Sequence, residues 1–192
     1  MNKGEDIMKR LLTAMIAFLL VLALCACGNS EAVSGDTESQ TENKTVTLDL
    51  AAEADAIIAK YSISCGKRYS SESTEAGKYL DEDLIRSYYG DAAAMPNFDE
   101  VEAYDVYIDE SKPIKPCEFG IFKMKDGANT EEFMLFLKAR INLKLENAKA
   151  YPSMDTEPLK TAIFTEKGGY IWYAVVKGGN DDINKTLEGK FE

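Results

Sequence analysis

The chain has 192 residues, with 33 acidic side chains against 22 basic ones, no histidine and a formal charge of −11 at neutral pH. So acidic a surface repels nucleic acid and anionic headgroups, which bind basic patches, and no nucleic-acid partner is expected. The lack of histidine removes the base of a Ser–His–Asp or Cys–His nucleophile, and that chemistry with it.

Lys9 and Arg10 precede an apolar run of about fourteen residues, Leu11 to Leu24. A basic start, a short apolar core and small residues after it make a secretory signal. The run is shorter than the roughly twenty residues a membrane-spanning helix needs. Glu5 and Asp6 dilute the positive charge, which leaves Met1 and Met8 both open as the start. The run ends in Leu24-Cys25-Ala26-Cys27-Gly28, the form of a bacterial lipobox. Cys27 fits as the acylated residue, because Ala26 precedes it and Leu24 stands three before it; Cys25 would put bulky Leu24 at the cleavage position. A metal or redox reading of the Cys25–Cys27 pair lacks a second cluster of ligands. Residues 1–26 are thus expected to be a lipoprotein signal peptide. Two acyl chains on Cys27 suffice for stable anchoring at the extracytoplasmic face of a cell membrane. Residues 1–26 carry a net +1, so their loss takes the formal charge to −12.

Residues 27–47 are polar, acidic and free of aromatics, and cannot bury enough apolar surface to fold. They read as a flexible linker reaching about 25 Å on random-coil scaling. Residues 48–192 suit a single globular domain.

Within it, Leu50, Ala54, Ile57, Ile58 and Tyr61 recur at helical period. Asp81 and Gly90 bracket a second short helix as caps. Tyr104, Val106 and Ile108 alternate as in a half-buried strand over 102–109, and "CEFGIFKMK" from Cys117 predicts a second. The strongest helix begins at Asn129 or Thr130 and stops at Pro152, with Phe133, Leu137, Ile141, Leu145 and Ala148 as its apolar stripe. Gly168-Gly169 predicts a hairpin whose second arm, Tyr170 to Val176, is apolar on both faces and so central. A last helix runs from about Asp181 to Phe191. This order predicts an α+β fold: a two-layer domain of about four antiparallel strands covered by the long helix.

Cys65 and Cys117 are the thiols left once Cys27 is acylated, and extracytoplasmic space permits a disulfide between them. The alternative is two separate buried thiols packed as small hydrophobes.

The lipobox at Cys27, the helix Ala52 to Ile58, the stretch "EFGIFKMKD" and the passage from the long helix through Ala150-Tyr151-Pro152 to Gly169-Tyr170-Ile171 resemble a family. It is an uncharacterised group of Gram-positive, clostridial-type surface lipoproteins, the domain of unknown function 4358. The resemblance covers roughly Leu50 to Phe191 and rests on pattern. It implies the location and fold, and no activity, cofactor or site residue.

No catalytic motif stands out. "SSESTEAGK" offers serines and Lys78 at no diagnostic spacing for Ser–Lys chemistry. "GGNDDINKTLEGK" has the wrong spacing for a calcium loop. No phosphate-cradling glycine motif occurs. The acidic pairs Asp81-Glu82-Asp83, Asp99-Glu100, Asp109-Glu110 and Asp181-Asp182 could serve a glycosidase only if two faced each other across a cleft; several lie where a helix begins and read as caps. Tyr88, Tyr89, Tyr104, Tyr107, Tyr151, Tyr170, Trp172 and Tyr173 divide between core and a contact surface. No cofactor, metal or catalytic residue is expected. The reading is a non-enzymatic binding module tethered through its lipid, with an envelope protein or polymer as partner. The alternatives are a small-ligand receptor component and a carboxylate-dependent envelope hydrolase.

Overall fold

The computed structural model describes residues 46–90, 94–111 and 115–192. The expected signal peptide, the lipidation at Cys27 and nearly all of the linker lie outside the described residues.

Each helix begins where a side chain can satisfy its open amides. Asp49 accepts from the Ala52 amide at 3.0 Å and starts α1, Leu50–Tyr61. Asp81 accepts from Leu84 and starts α2, Glu82–Tyr89. Asn129 accepts from Glu132 and starts α3, Thr130–Ala148. A fourth short helix, α4, spans Glu157–Lys160, and α5 spans Asn180–Glu188. The strands are β1 Gly66–Ser70, β2 Val101–Asp109, β3 Cys117–Met124, β4 Ile163–Lys167 and β5 Tyr170–Val176. They form one antiparallel sheet in the order β1-β2-β3-β5-β4. Gly168 and Gly169, at φ 62° and 80°, turn the β4–β5 hairpin through the left-handed conformation that glycine adopts without steric cost.

The α+β fold and its antiparallel sheet are as expected, and the sheet gains a fifth strand. That strand, β1, reads Gly-Lys-Arg-Tyr-Ser and lies at the sheet edge, where a short charged strand deters pairing with other chains. Two layers were expected and three are found, because helices cover both faces. On one face Phe133, Leu137 and Ile141 of α3, with Ile85 and Tyr89 of α2, pack on Tyr104, Val106, Phe122, Ile171 and Tyr173. On the other, Ala54 and Ile57 of α1, with Ile183 and Leu187 of α5, pack on Tyr107, Phe119, Ile121 and Trp172. The cause lies in β5: all seven of its residues are buried, and a strand apolar on both sides needs cover on both. Trp172 is fully buried, stacked on Phe191 at 6.0 Å, and its indole N–H donates to Asn184 at 3.0 Å.

Two arginine forks pin the helical layers to the sheet. Arg68 of β1 donates twice to buried Asp105 of β2, both at 2.8 Å, and also reaches Asp55 and the Ala51 carbonyl of α1. Arg140 of α3 donates twice to fully buried Glu118 of β3, both at 2.9 Å, and to the Tyr88 carbonyl at the end of α2. Among the described residues no helix is long and apolar enough to cross a membrane.

Candidate functional site

The α1 face of the sheet opens into a groove of about 440 Å³ at one end. Its walls are residues 47–51 at the start of α1, 70–72 at and just past the end of β1, 102–104 at the start of β2, and Lys123 near the end of β3. The chain enters along this wall: buried Leu48 is held by its amide donating to the Tyr170 hydroxyl at 3.1 Å. Asp49, Glu72 and Glu102 bring three carboxylates against a single ammonium, Lys123, which donates to Glu102 at 2.6 Å. That hydrogen bond raises the Lys123 pKa above its ordinary value. Asp49 spends one oxygen on its cap, and Glu72 projects into solvent. The groove therefore presents excess negative charge and an open floor, which suits a cationic or hydroxyl-bearing ligand.

On the opposite face lies a buried ionic cluster that sequence reasoning missed. Glu118 takes the Arg140 fork, and its Oε2 also accepts from the Lys144 ammonium. Burial would raise the Glu118 carboxyl, but the Arg140 and Lys144 charges and their hydrogen bonds outweigh it and hold it below the usual carboxylate range. Arg140 is stacked by Tyr88 and Tyr89, whose ring centres lie 5.3 and 5.5 Å from its guanidinium carbon. Nearby, Glu110 accepts from the hydroxyls of both Tyr69 and Tyr88. Those bonds, Tyr69 first, lower the Glu110 carboxyl, while burial chiefly raises the Tyr69 hydroxyl. A carboxylate saturated by an arginine fork and a lysine cannot give up a proton as a general acid. The cluster is a structural lock.

The acidic pairs singled out earlier are scattered. Asp81 caps α2, Asp99 and Glu100 form a 3-10 turn, and Asp181 and Asp182 fill the first turn of α5. Asp109 and Glu110 separate, Asp109 buried and Glu110 exposed. Of the aromatics, Tyr89, Tyr104, Tyr107, Tyr170, Trp172 and Tyr173 are core, Tyr88 is half-buried, and Tyr151 is exposed. Tyr104 alone borders the groove.

Cys65, just before β1, and Cys117, the first residue of β3, are joined as a disulfide with Cα atoms 6.5 Å apart. That separation lies within the span a disulfide accepts, about 4.4–6.8 Å. Residue Cys27 lies outside the described residues. No family model, characterised protein or solved structure matches this chain.

Proposed function

We propose that this chain is a non-enzymatic binding module, lipid-anchored through Cys27 at the extracytoplasmic face of a membrane, whose acid-lined groove takes a cationic or hydroxyl-bearing segment of an envelope protein or polymer. The observation that carries the reading is the groove itself: three carboxylates to one ammonium, on walls built from the residues that follow the linker. An anchored domain would thus present its groove where the linker joins it. The hydrolase alternative is weakened because buried Asp105 and Glu118 each give both oxygens to an arginine. The receptor alternative is weakened because the groove lies on one sheet face and is not enclosed between two lobes. The resemblance to Gram-positive surface lipoproteins is consistent with this placement and adds no activity.

The test is photo-crosslinking in intact cells from a reactive residue at exposed Glu72. A discrete adduct is expected, weakened when Glu102 is replaced by Lys and missing from an equivalent probe at exposed Lys138 on α3. Equal adducts from Glu72 and Lys138, or none from Glu72, would refute the groove as the binding surface.

A further inference from the structure

At the far end of the same sheet, three chemically matched side chains converge. Gly66 of β1 pairs with Asp109 of β2, so Cys65 stands beside the end of β2. The approach admits only glycine: a Cβ on Gly66 would lie 1.9 Å from the Ile108 carbonyl oxygen. Tyr107 of β2 pairs with Phe119 of β3, and the same register carried two residues further sets Cys117 opposite Asp109. The two sulfurs and an Asp109 carboxylate oxygen all lie within 4.8 Å of one another.

Of the three, Asp109 alone is buried. It is only 6 % exposed. Its Oδ1 accepts from the Ser111 amide at 2.9 Å and from the Ser111 hydroxyl. Its Oδ2 is buried and accepts no hydrogen bond. The nearest cation, Lys144, stands 3.6 Å from Oδ2 and donates instead to Glu118. Lys144 pairs with Oδ2 electrostatically but gives it no hydrogen bond, so a lone pair on a buried oxygen is left open to a metal ion.

We propose that, when the Cys65–Cys117 bridge is reduced, Cys65, Cys117 and Asp109 form a site for a soft divalent ion of the zinc type. The disulfide and the metal site are then alternative states of the same two sulfurs. A dithiol reductant supplies two electrons and leaves as its own cyclic disulfide; the protein S–S bond breaks and each sulfur takes one proton. Metal binding then releases both thiol protons to solvent and forms two metal–sulfur bonds and one metal–oxygen bond. Thiolate sulfur and carboxylate oxygen are both zinc donors. Around a tetrahedral ion, ligands at such bond lengths stand about 3.6–3.8 Å apart, so the two sulfurs, bonded to each other here, part on reduction to reach that spacing. Two thiolates and a carboxylate against a dication leave one negative charge, and Lys144 lies beside it to balance it. Ser111 holds Asp109 by its other oxygen, as outer-shell partners orient metal-bound carboxylates. Three protein ligands leave a fourth position for water.

The test uses the full mature chain in detergent, either as oxidised or after reduction with excess dithiol and anaerobic desalting, titrated with cobalt(II) as a coloured substitute for zinc. The reduced protein should bind one cobalt per chain, with a thiolate-to-cobalt charge-transfer band that one equivalent of zinc displaces, and the oxidised protein none. Asp109→Asn should bind at least about tenfold more weakly, since even outer-shell losses cost about 10–100-fold. Trp172 emission checks that each variant is folded. If Asp109→Asn does not fold, Ser111→Ala decides, with weaker binding supporting the site and unchanged affinity overturning it. A reduced wild type without the charge-transfer band, or with the band and affinity intact in folded Asp109→Asn, would also overturn the proposal.

Discussion

Replacing Arg140 by Met should destabilise the domain more than any other single loss of charge. The side chain of Glu118 is fully buried, and Arg140 supplies both hydrogen bonds of its fork, at 2.9 Å each. Without Arg140, Oε1 loses its donor, and only Lys144 and the Asp109 amide remain, both on Oε2. The Tyr88 carbonyl loses a 2.8 Å donor, and the stacked rings of Tyr88 and Tyr89 lose their cation. Breaking a buried pair from one side costs about 3–5 kcal/mol, and the surviving lysine puts this case near about 3. For a domain of this size each kcal/mol moves the melting temperature by about 2–4 °C, so calorimetry should record a fall of about 6–12 °C. Adding Glu118→Gln removes the stranded charge and should recover about half of that loss. A fall under about 2 °C for Arg140→Met, or a double variant no more stable than the single one, would show that Glu118 is not held in a dry site and would refute the reasoning.

Acid should act through the same carboxylate. The folded pKa of Glu118 is held below the ordinary value of 4.5, so its contribution is fully present above that value and is lost as pH falls through the folded one. Melting temperature should therefore drop from about pH 5 to pH 3, with a shallower slope in Glu118→Gln. Trp172→Ala should cost about 3–5 kcal/mol in urea unfolding, and the wild-type emission should be blue-shifted; a red, quenchable emission from folded protein would contradict its burial. A fatty-acid probe fed to cells should label the wild type and not Cys27→Ala, and equal labelling of both would exclude that anchor. Reduction should raise the intact mass by two hydrogens and remove about 4 kcal/mol, the entropy of closing a loop across a separation of 52 residues; an unchanged mass would mean the thiols were already free.

The elements legible in the sequence were those whose signal is periodic and local. The α3 stripe, the hairpin at Gly168-Gly169, the caps at Asp81 and Asn129 and the two-sided strand β5 all follow from short-range rules. Strand β1 escaped because an edge strand needs no apolar alternation: only Tyr69 is buried, and Arg68 earns its place through Asp105 on the neighbouring strand. The third layer was implicit in the two apolar faces of β5, but which helices would cover them depends on contacts far apart in the chain. Asn180 is another such case. Its side chain accepts from Val176 and donates to the Pro158 and Thr161 carbonyls, tying α5 to α4 and the residue that follows it, and no local pattern marks it.

The ionic lock did leave a trace. Along α3 the buried positions are Phe133, Met134, Leu137, Ile141, Lys144 and Ala148, so a lysine is buried within the apolar stripe, with Leu145 beside it only partly covered. Arg140 stands one turn before Lys144 on the same side, and Glu118 is the single acid within the apolar strand Cys117–Met124. Two cations four residues apart on a core-facing helix surface are too costly to bury without an anion, and a lone acid in a sheet interior is too costly without cations. Each violation of the hydrophobic pattern therefore implies the other, and together they predict that α3 crosses β3. The same logic applies to Asp109 at the end of β2. Its buried carboxylate at the end of an apolar strand calls for a cation, and Lys144, placed between Glu118 and Asp109, serves both acids, by a hydrogen bond to the first and an ion pair at 3.6 Å to the second.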